Sequence, residues 1–178
     1  VAKIAEDAGV SRIFVDMEFI GKDKRQSGMD TVKLQHSFED IKNIKSCLNK
    51  AQVLVRVNKI HEAVLDYPAT EEEIERAIVA GADILMLPYF KTIEEAQRFL
   101  NAVAGRVKTL LLFETKESYA LVDEILELSG IDEAYIGLND MAISMGYKFL
   151  FQVLSEGIVE DLAKKFKAKS IPFGFGGI

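Results

Sequence analysis

The chain has one cysteine, Cys47, two histidines, His36 and His61, and no long apolar run. Each shortage excludes something. A lone cysteine cannot close a disulfide within the chain, and a reducing, cytoplasmic setting is the simplest one for it. With no cluster of Cys and His, a zinc site built on nitrogen and sulfur is not expected. No hydrophobic stretch approaches the roughly 20 residues needed to cross a bilayer, so no membrane partner is expected. Basic residues are outnumbered, 22 Lys and Arg against 28 Asp and Glu for a net charge of -6, whereas a nucleic-acid surface needs a dense basic patch. Two signals of other folds are also missing: no Asn-Gly pair marks a tight hairpin, and no Gly-x-Gly-x-x-Gly turn follows an early strand.

What is present is a repeated joint. Gly9, Gly81 and Gly130 each stand between a helical pattern and an apolar run, namely Arg12-Ile13-Phe14-Val15-Asp16, Ile84-Leu85-Met86-Leu87 and Ala134-Tyr135-Ile136. Glycine ends a helix readily because it adopts the left-handed conformation, and the apolar run after it reads as a buried strand. Ser37 with Asp40, Thr70 with Glu73 and Thr92 with Glu95 have capping-box spacing and mark helix starts. The patterns predict strands near 12–17, 52–57, 83–87, 109–113, 134–138 and 171–175. Helices are predicted near 1–8, 37–48, 70–80, 92–104, 116–128 and 149–168.

Alternating strand and helix implies a parallel sheet covered by helices. About six strands are visible, where a closed TIM (β/α)8 barrel has eight and typically ~250 residues. The expectation is therefore an α/β chain forming an incomplete barrel, with first and last strands missing. With 178 residues, 49% of them hydrophobic, one core suffices, so 1–178 is expected to be a single barrel domain. The chain opens within a helical pattern at Val1-Ala2-Lys3-Ile4-Ala5, without an initiator methionine, and stops just after an apolar run at Gly177-Ile178. It is accordingly expected to be a fragment of a longer catalytic domain.

Two acids lead the candidate site. Glu114 closes the run Thr109-Leu110-Leu111-Leu112-Phe113, and Asp140 follows Ala134-Tyr135-Ile136-Gly137-Leu138-Asn139. In a parallel barrel, acids just past two successive strands converge on one rim. Hard oxygen donors suit Mg2+ or Mn2+, which bind through one or two carboxylates and leave positions for water and substrate. The structural alternative makes Glu114 a helix N-terminal acid and Asp140 a helix cap.

Arg56, in Leu54-Val55-Arg56-Val57-Asn58, is a cation at the end of a buried strand and needs an anion partner. It could hold a substrate carboxylate or stabilise an enolate oxygen, or form a structural ion pair with Glu18 or Asp16. Glu18 should reach the same rim, with Lys22, Arg25 and Gln26 beyond it in the long segment 18–36, either binding substrate or lying solvated. His36, just before Ser37, is the candidate proton carrier or a local hydrogen-bonding residue. His61 could touch substrate or solvent. Cys47 is read as core, and Glu71-Glu72-Glu73 as a solvated first helical turn. Gly174-Phe175-Gly176-Gly177 is a weak phosphate-cradle signal, explained equally by flexibility at a strand end.

With these residues named, the chain resembles the HpcH/HpaI aldolase and citrate lyase beta-subunit superfamily, a group of metal-dependent phosphoenolpyruvate/pyruvate-type barrels. Phe113-Glu114-Thr115 resembles the segment bearing the family's metal-binding glutamate. The segment Gly137 to Gly146 resembles the one carrying its metal-binding aspartate. Leu54 to Asn58 looks like the substrate-arginine strand, and Ala80 to Pro88 like the next strand. One departure is Phe19, which stands where the aldolase branch has its catalytic histidine after Asp-x-Glu. Asp16-Met17-Glu18 with Lys22 and Arg25 leans instead toward the citrate lyase beta-like branch.

The resemblance implies a metal-dependent lyase acting on a small-molecule 2-oxo acid, and homo-oligomeric assembly. The leading expectation is aldol cleavage through a pyruvate-type enolate, with Glu114 and Asp140 on the metal, Arg56 on the enolate and, as the base, either His36, which is not a family correspondence, or a metal-bound water. A citrate lyase beta-like or malyl-CoA-like lyase acting on a CoA thioester is the second. A catalytically inactive barrel serving as a binding or assembly subunit is the third.

Overall fold

The computed structural model describes residues 1–21, 36–64 and 66–177. They divide into two compact units, Val1–Met86 and Leu87–Ile178. Strand and helix alternate in both, and the paired strands within each unit run parallel.

The first unit runs α1 (Ala2–Asp7), β1 (Arg12–Asp16), α2 (Phe38–Cys47), β2 (Gln52–Arg56), α3 (Thr70–Ala80) and β3 (Ile84–Leu87), whose last residue begins the second unit. The register sets Val15 beside Val55 and Asp16 beside Arg56, and then Val55 beside Leu85. Val15, Ile41, Val53, Val55, Ile74, Ala77, Ile84 and Leu85 are fully buried, so the apolar runs form the core that their pattern implies. Polar groups tie down the strand starts. Glu6 accepts the N–H groups of Asn49, Lys50 and Ala51 at 2.9, 2.6 and 2.7 Å; led by the bond from Ala51, these hold its carboxyl down at about 2. Asp83 accepts Val53 N–H at 2.8 Å and pairs with Lys45 at 2.7 Å.

The second unit continues with α4 (Ile93–Val103), β4 (Lys108–Phe113), α5 (Lys116–Ala120), α6 (Val122–Ile125) and β5 (Glu133–Gly137). It ends with α7 (Leu138–Met145), α8 (Gln152–Ser155), α9 (Ile158–Ala168) and β6 (Phe173–Gly176). Leu111 pairs with Ala134, Phe113 with Ile136, and Gly137 with Gly176. Its core is aromatic: Phe90 meets Phe113 edge-on at 5.3 Å, and Phe113 meets Phe166 at 5.1 Å.

All three joint glycines have positive φ, at 93°, 107° and 94° for Gly9, Gly81 and Gly130. Ser37 and Thr92 form reciprocal capping boxes with Asp40 and Glu95. Thr70 does not, because Ala69 is the N-cap and Thr70 is already helical. The helix predicted over 116–128 breaks at Leu121, and the one over 149–168 breaks at Gly157, which has φ 75°. Helix α7 lies outside the predicted helix ranges and is implied only by reading Asp140 as a cap, since it follows β5 directly from Gly137 with no side-chain cap to announce it. Cys47 is exposed rather than core, because it is the last helical residue, with its Sγ on Ile44 O at 3.1 Å. Among the described residues, no helix is long and apolar enough to cross a membrane.

Candidate active site

In the first unit, the ends of β1 and β2 bring Asp16 and Arg56 side by side, as their register requires. Arg56 donates from Nε to Asp16 Oδ1 at 2.9 Å and from Nη2 to Asp16 Oδ2 at 2.7 Å. Glu18 Oε2 lies 3.5 Å from Arg56 Nε, on a side chain only 1% exposed. Arg56 thus takes the ion pair foreseen as its structural alternative, with both candidate partners at once. A two-point pair fixes the guanidinium plane, which a single contact would not. Phe14 lies under the same group, 5.6 Å from its ring centre.

His36 Nδ1 faces the carbonyl of Asp16 at 3.0 Å. A carbonyl only accepts, so Nδ1 carries the hydrogen and Nε2 is the basic nitrogen of the neutral ring. Phe19, at the position of the aldolase-branch histidine, sets its ring edge-on against Tyr67 at 4.8 Å. Lys22, Arg25 and Gln26 lie outside the described residues.

The second unit holds the two acids at the carboxyl ends of adjacent strands. Glu114 is 3% exposed and accepts the N–H of Tyr89 at 2.9 Å. Tyr89 donates from a left-handed backbone, φ 50°, a conformation that costs energy for a bulky residue and that clusters at functional sites. Glu114 precedes the N-cap Thr115, whose hydroxyl accepts Ser118 N–H at 3.0 Å and donates to Phe90 O at 2.8 Å. Asp140 is 9% exposed in the first turn of α7, where the helix dipole favours an acid. It is not the cap, a place taken by Gly137.

Gly137 is a residue the sequence reading did not single out for the site. A Cβ there would lie 2.7 Å from Glu114 Oε2 and 2.9 Å from Glu114 Cβ. Its φ of -86° suits any residue, so the glycine serves clearance rather than backbone freedom. Gly137→Ala is expected to displace Glu114 and cost about 1–3 kcal/mol through overpacking. Urea unfolding reads the stability, and Mg2+ titration of the folded variant reads the displaced carboxylate.

Among the described residues, no group of three or more His, Cys, Asp and Glu is gathered to hold a metal. Glu114 and Asp140 are each buried carboxylates, one just past β4 and the other in the first turn after β5. That number and hardness suit Mg2+ or Mn2+, which retain waters and take substrate oxygens. The donor chemistry fits the ion.

Three other expectations are corrected. His61 is not solvent-exposed, being 8% exposed with its ring nitrogens 2.8 Å from Lys59 O and 2.9 Å from Pro68 O. Glu73 is fully buried instead of solvated. The spacing of Thr70, Glu73, Ile74 and Ala77 along one helical face could have revealed it. The glycines of β6 are accounted for by packing, since a Cβ at Gly174 or Gly176 would meet Tyr135 at 3.0 or 2.5 Å.

A parallel strand and helix alternation with buried acids past successive strand ends is the layout of α/β enzymes. The chain belongs to the HpcH/HpaI aldolase/citrate lyase family, whose model it matches over residues 3–150. A hydroxypyruvate/pyruvate aldolase of Sagittula stellata is 28% identical, the match covering 48% of this chain and 49% of that protein. The chain therefore spans about half the length of that relative. Among solved structures, an HpcH/HpaI aldolase/citrate lyase family protein of Burkholderia cenocepacia superposes with a TM-score of 0.73 at 17% identity, over 98% of this chain and 74% of the other. A citrate lyase beta subunit of M. tuberculosis, complexed with oxaloacetate and magnesium, gives 0.59 at 13% identity, over 98% and 74%. At these identities the structural likeness speaks for the fold.

Proposed function

We propose that this protein is a divalent-metal-dependent carbon-carbon lyase that cleaves a 2-oxo-acid aldol to pyruvate or a related oxo acid, from a catalytic barrel domain of which this chain forms part. The observation that carries the reading is the pair of buried carboxylates, Glu114 and Asp140, at adjacent strand ends of an HpcH/HpaI family chain. These two residues would hold Mg2+ or Mn2+, and the bound ion would polarise the substrate carbonyl as a Lewis acid.

Arg56 and His36 are assigned the remaining roles. Cleavage breaks the bond between the carbon next to the oxo group and the carbon bearing the hydroxyl. The hydroxyl loses its proton, its carbon leaves as an aldehyde, and the electron pair passes into the oxo acid as an enolate. Arg56 stabilises the growing negative charge on oxygen, and Asp16 keeps the guanidinium from swinging when charge develops. His36 Nε2 takes the hydroxyl proton, a duty open to it because Nδ1–H is engaged by Asp16 O. Protonation of the enolate carbon then completes the oxo acid.

Phe19 favours a second reading, in which a CoA thioester is cleaved by the same enolate chemistry, because the aldolase-branch histidine is absent. The test is oxo-acid release with and without Mg2+ or Mn2+, from free hydroxy-oxo acids and from matched CoA thioesters. Metal-dependent pyruvate release from a free acid is the expected result. Thioester-only turnover transfers the protein to the lyase branch, and metal binding with no turnover overturns the enzyme reading in favour of a binding subunit.

A further inference from the structure

Glu73 is a buried acid that the proposed chemistry leaves unused. It sits on α3 with no exposed surface, and burial pushes its carboxyl above the usual carboxylate range. A helix has no need of an acid there, where an apolar residue would avoid the cost of desolvation. The hydrogen bonds show what it does. Glu73 Oε1 accepts Asn58 N–H at 3.1 Å, Asn58 Nδ2 at 2.8 Å and the Tyr67 hydroxyl at 2.8 Å.

Asn58 is also fully buried. Its carboxamide has an acceptor-only oxygen of Glu73 on one side and two backbone N–H groups on the other, so it can point only one way. Nδ2 faces Glu73 and the carbonyl of Met17, the latter at 3.3 Å. Oδ1 accepts the N–H groups of Phe19 and Ile20, each at 2.9 Å. One side chain therefore holds three backbone groups on both sides of Glu18, whose carboxylate faces Arg56. Asn58 lies two residues after Arg56, so the clamp joins the segment bearing the acid to the strand bearing the arginine. Tyr67 closes the arrangement by binding Glu73 through its hydroxyl while its ring receives the edge of Phe19.

We propose that Asn58, oriented by Glu73 and Tyr67, is a positioning residue that sets Glu18 against Arg56 and thereby aims the guanidinium at the substrate oxygen. The role rests on the reading of Arg56 given above. It differs from simple loop anchoring in what it controls. Anchoring alone alters stability, whereas positioning alters how well a fully folded protein holds a small 2-oxo acid.

The test uses Asn58→Ala, Glu73→Ala and Glu73→Gln with three readouts: amide hydrogen exchange at Phe19 and Ile20, pyruvate affinity and kcat/KM with Mg2+ present, and thermal unfolding. In Asn58→Ala both amides lose protection, and kcat/KM falls about tenfold, mainly through KM, while Mg2+ affinity is unchanged. Glu73→Ala gives the same pattern. Glu73→Gln keeps an acceptor for Asn58 and Tyr67 and recovers most of the loss. If Asn58→Ala does not fold, the comparison of the two Glu73 variants decides. A folded Asn58→Ala or Glu73→Ala protein with lower thermal stability but wild-type kcat/KM and pyruvate affinity overturns the proposal. So does wild-type protection of the two amides in Asn58→Ala. Wild-type protein that neither cleaves nor binds any oxo acid would defeat the functional reading and the positioning role with it, an outcome distinct from an active wild-type protein whose variants keep wild-type kcat/KM, which overturns the positioning role alone.

Discussion

Glu114→Gln and Asp140→Asn are each expected to abolish metal-dependent cleavage, lowering kcat/KM about 10^3-fold or more while the protein stays folded. Each change removes one anionic oxygen donor and keeps the side chain's shape, so little packing is lost. Glu114→Gln also retains a carbonyl oxygen able to accept the Tyr89 N–H, now made at 2.9 Å. The backbone around the site should hold, and the effect should appear as lost Mg2+ or Mn2+ affinity measured by titration calorimetry. Excess metal should rescue part of the activity if the remaining carboxylate still binds. Full activity in either folded variant would remove that residue from the metal site.

Arg56 carries the second large effect, which divides between stability and chemistry. Arg56→Ala takes away the cation that both Asp16 and Glu18 face, from a place where the arginine side chain is 18% exposed. Stability should fall by about 3 kcal/mol, the low end for breaking a buried pair, because these groups retain some solvent. Arg56→Lys keeps the charge but not the planar fork, so stability should recover in part while the two-point grip on Asp16 is lost. The catalytic outcome should not recover. In both variants kcat/KM is expected to drop about 10^2- to 10^3-fold, as when an oxyanion partner is removed. Urea unfolding and steady-state kinetics on the same preparations separate the two effects. A lysine variant with native kinetics would make Arg56 a structural ion pair only.

These expectations have different roots in the chain. The acids were visible because each follows an apolar run, and a short apolar run between helical patterns reads as a buried strand with a definite end. Arg56 stood out for the same reason, as a charge closing a buried strand. Its partners were not visible. Asp16 and Glu18 were both plausible, and the register of β1 on β2, with Asp16 beside Arg56, makes the first a two-point partner and leaves the second at 3.5 Å. Glu73 misled because three successive glutamates at a helix start resemble a solvated turn, although only one of them falls on the face toward the core. His61 misled because its two carbonyl partners belong to a loop whose course no local pattern reveals.

Local order in the sequence determined the alternation of strand and helix, the glycine-ended helices, two of three capping boxes and the acids at strand ends. All of these arise from interactions within a few residues, where periodicity and backbone preference act directly. Only tertiary structure decided that Gly137 makes room for Glu114, that Tyr89 turns its N–H toward that acid, and that Asn58 reaches back 39 residues to Phe19. Those contacts depend on strand register and on which face of a helix is covered. Such distances are set by the packing of the core as a whole, and no short stretch of sequence encodes them.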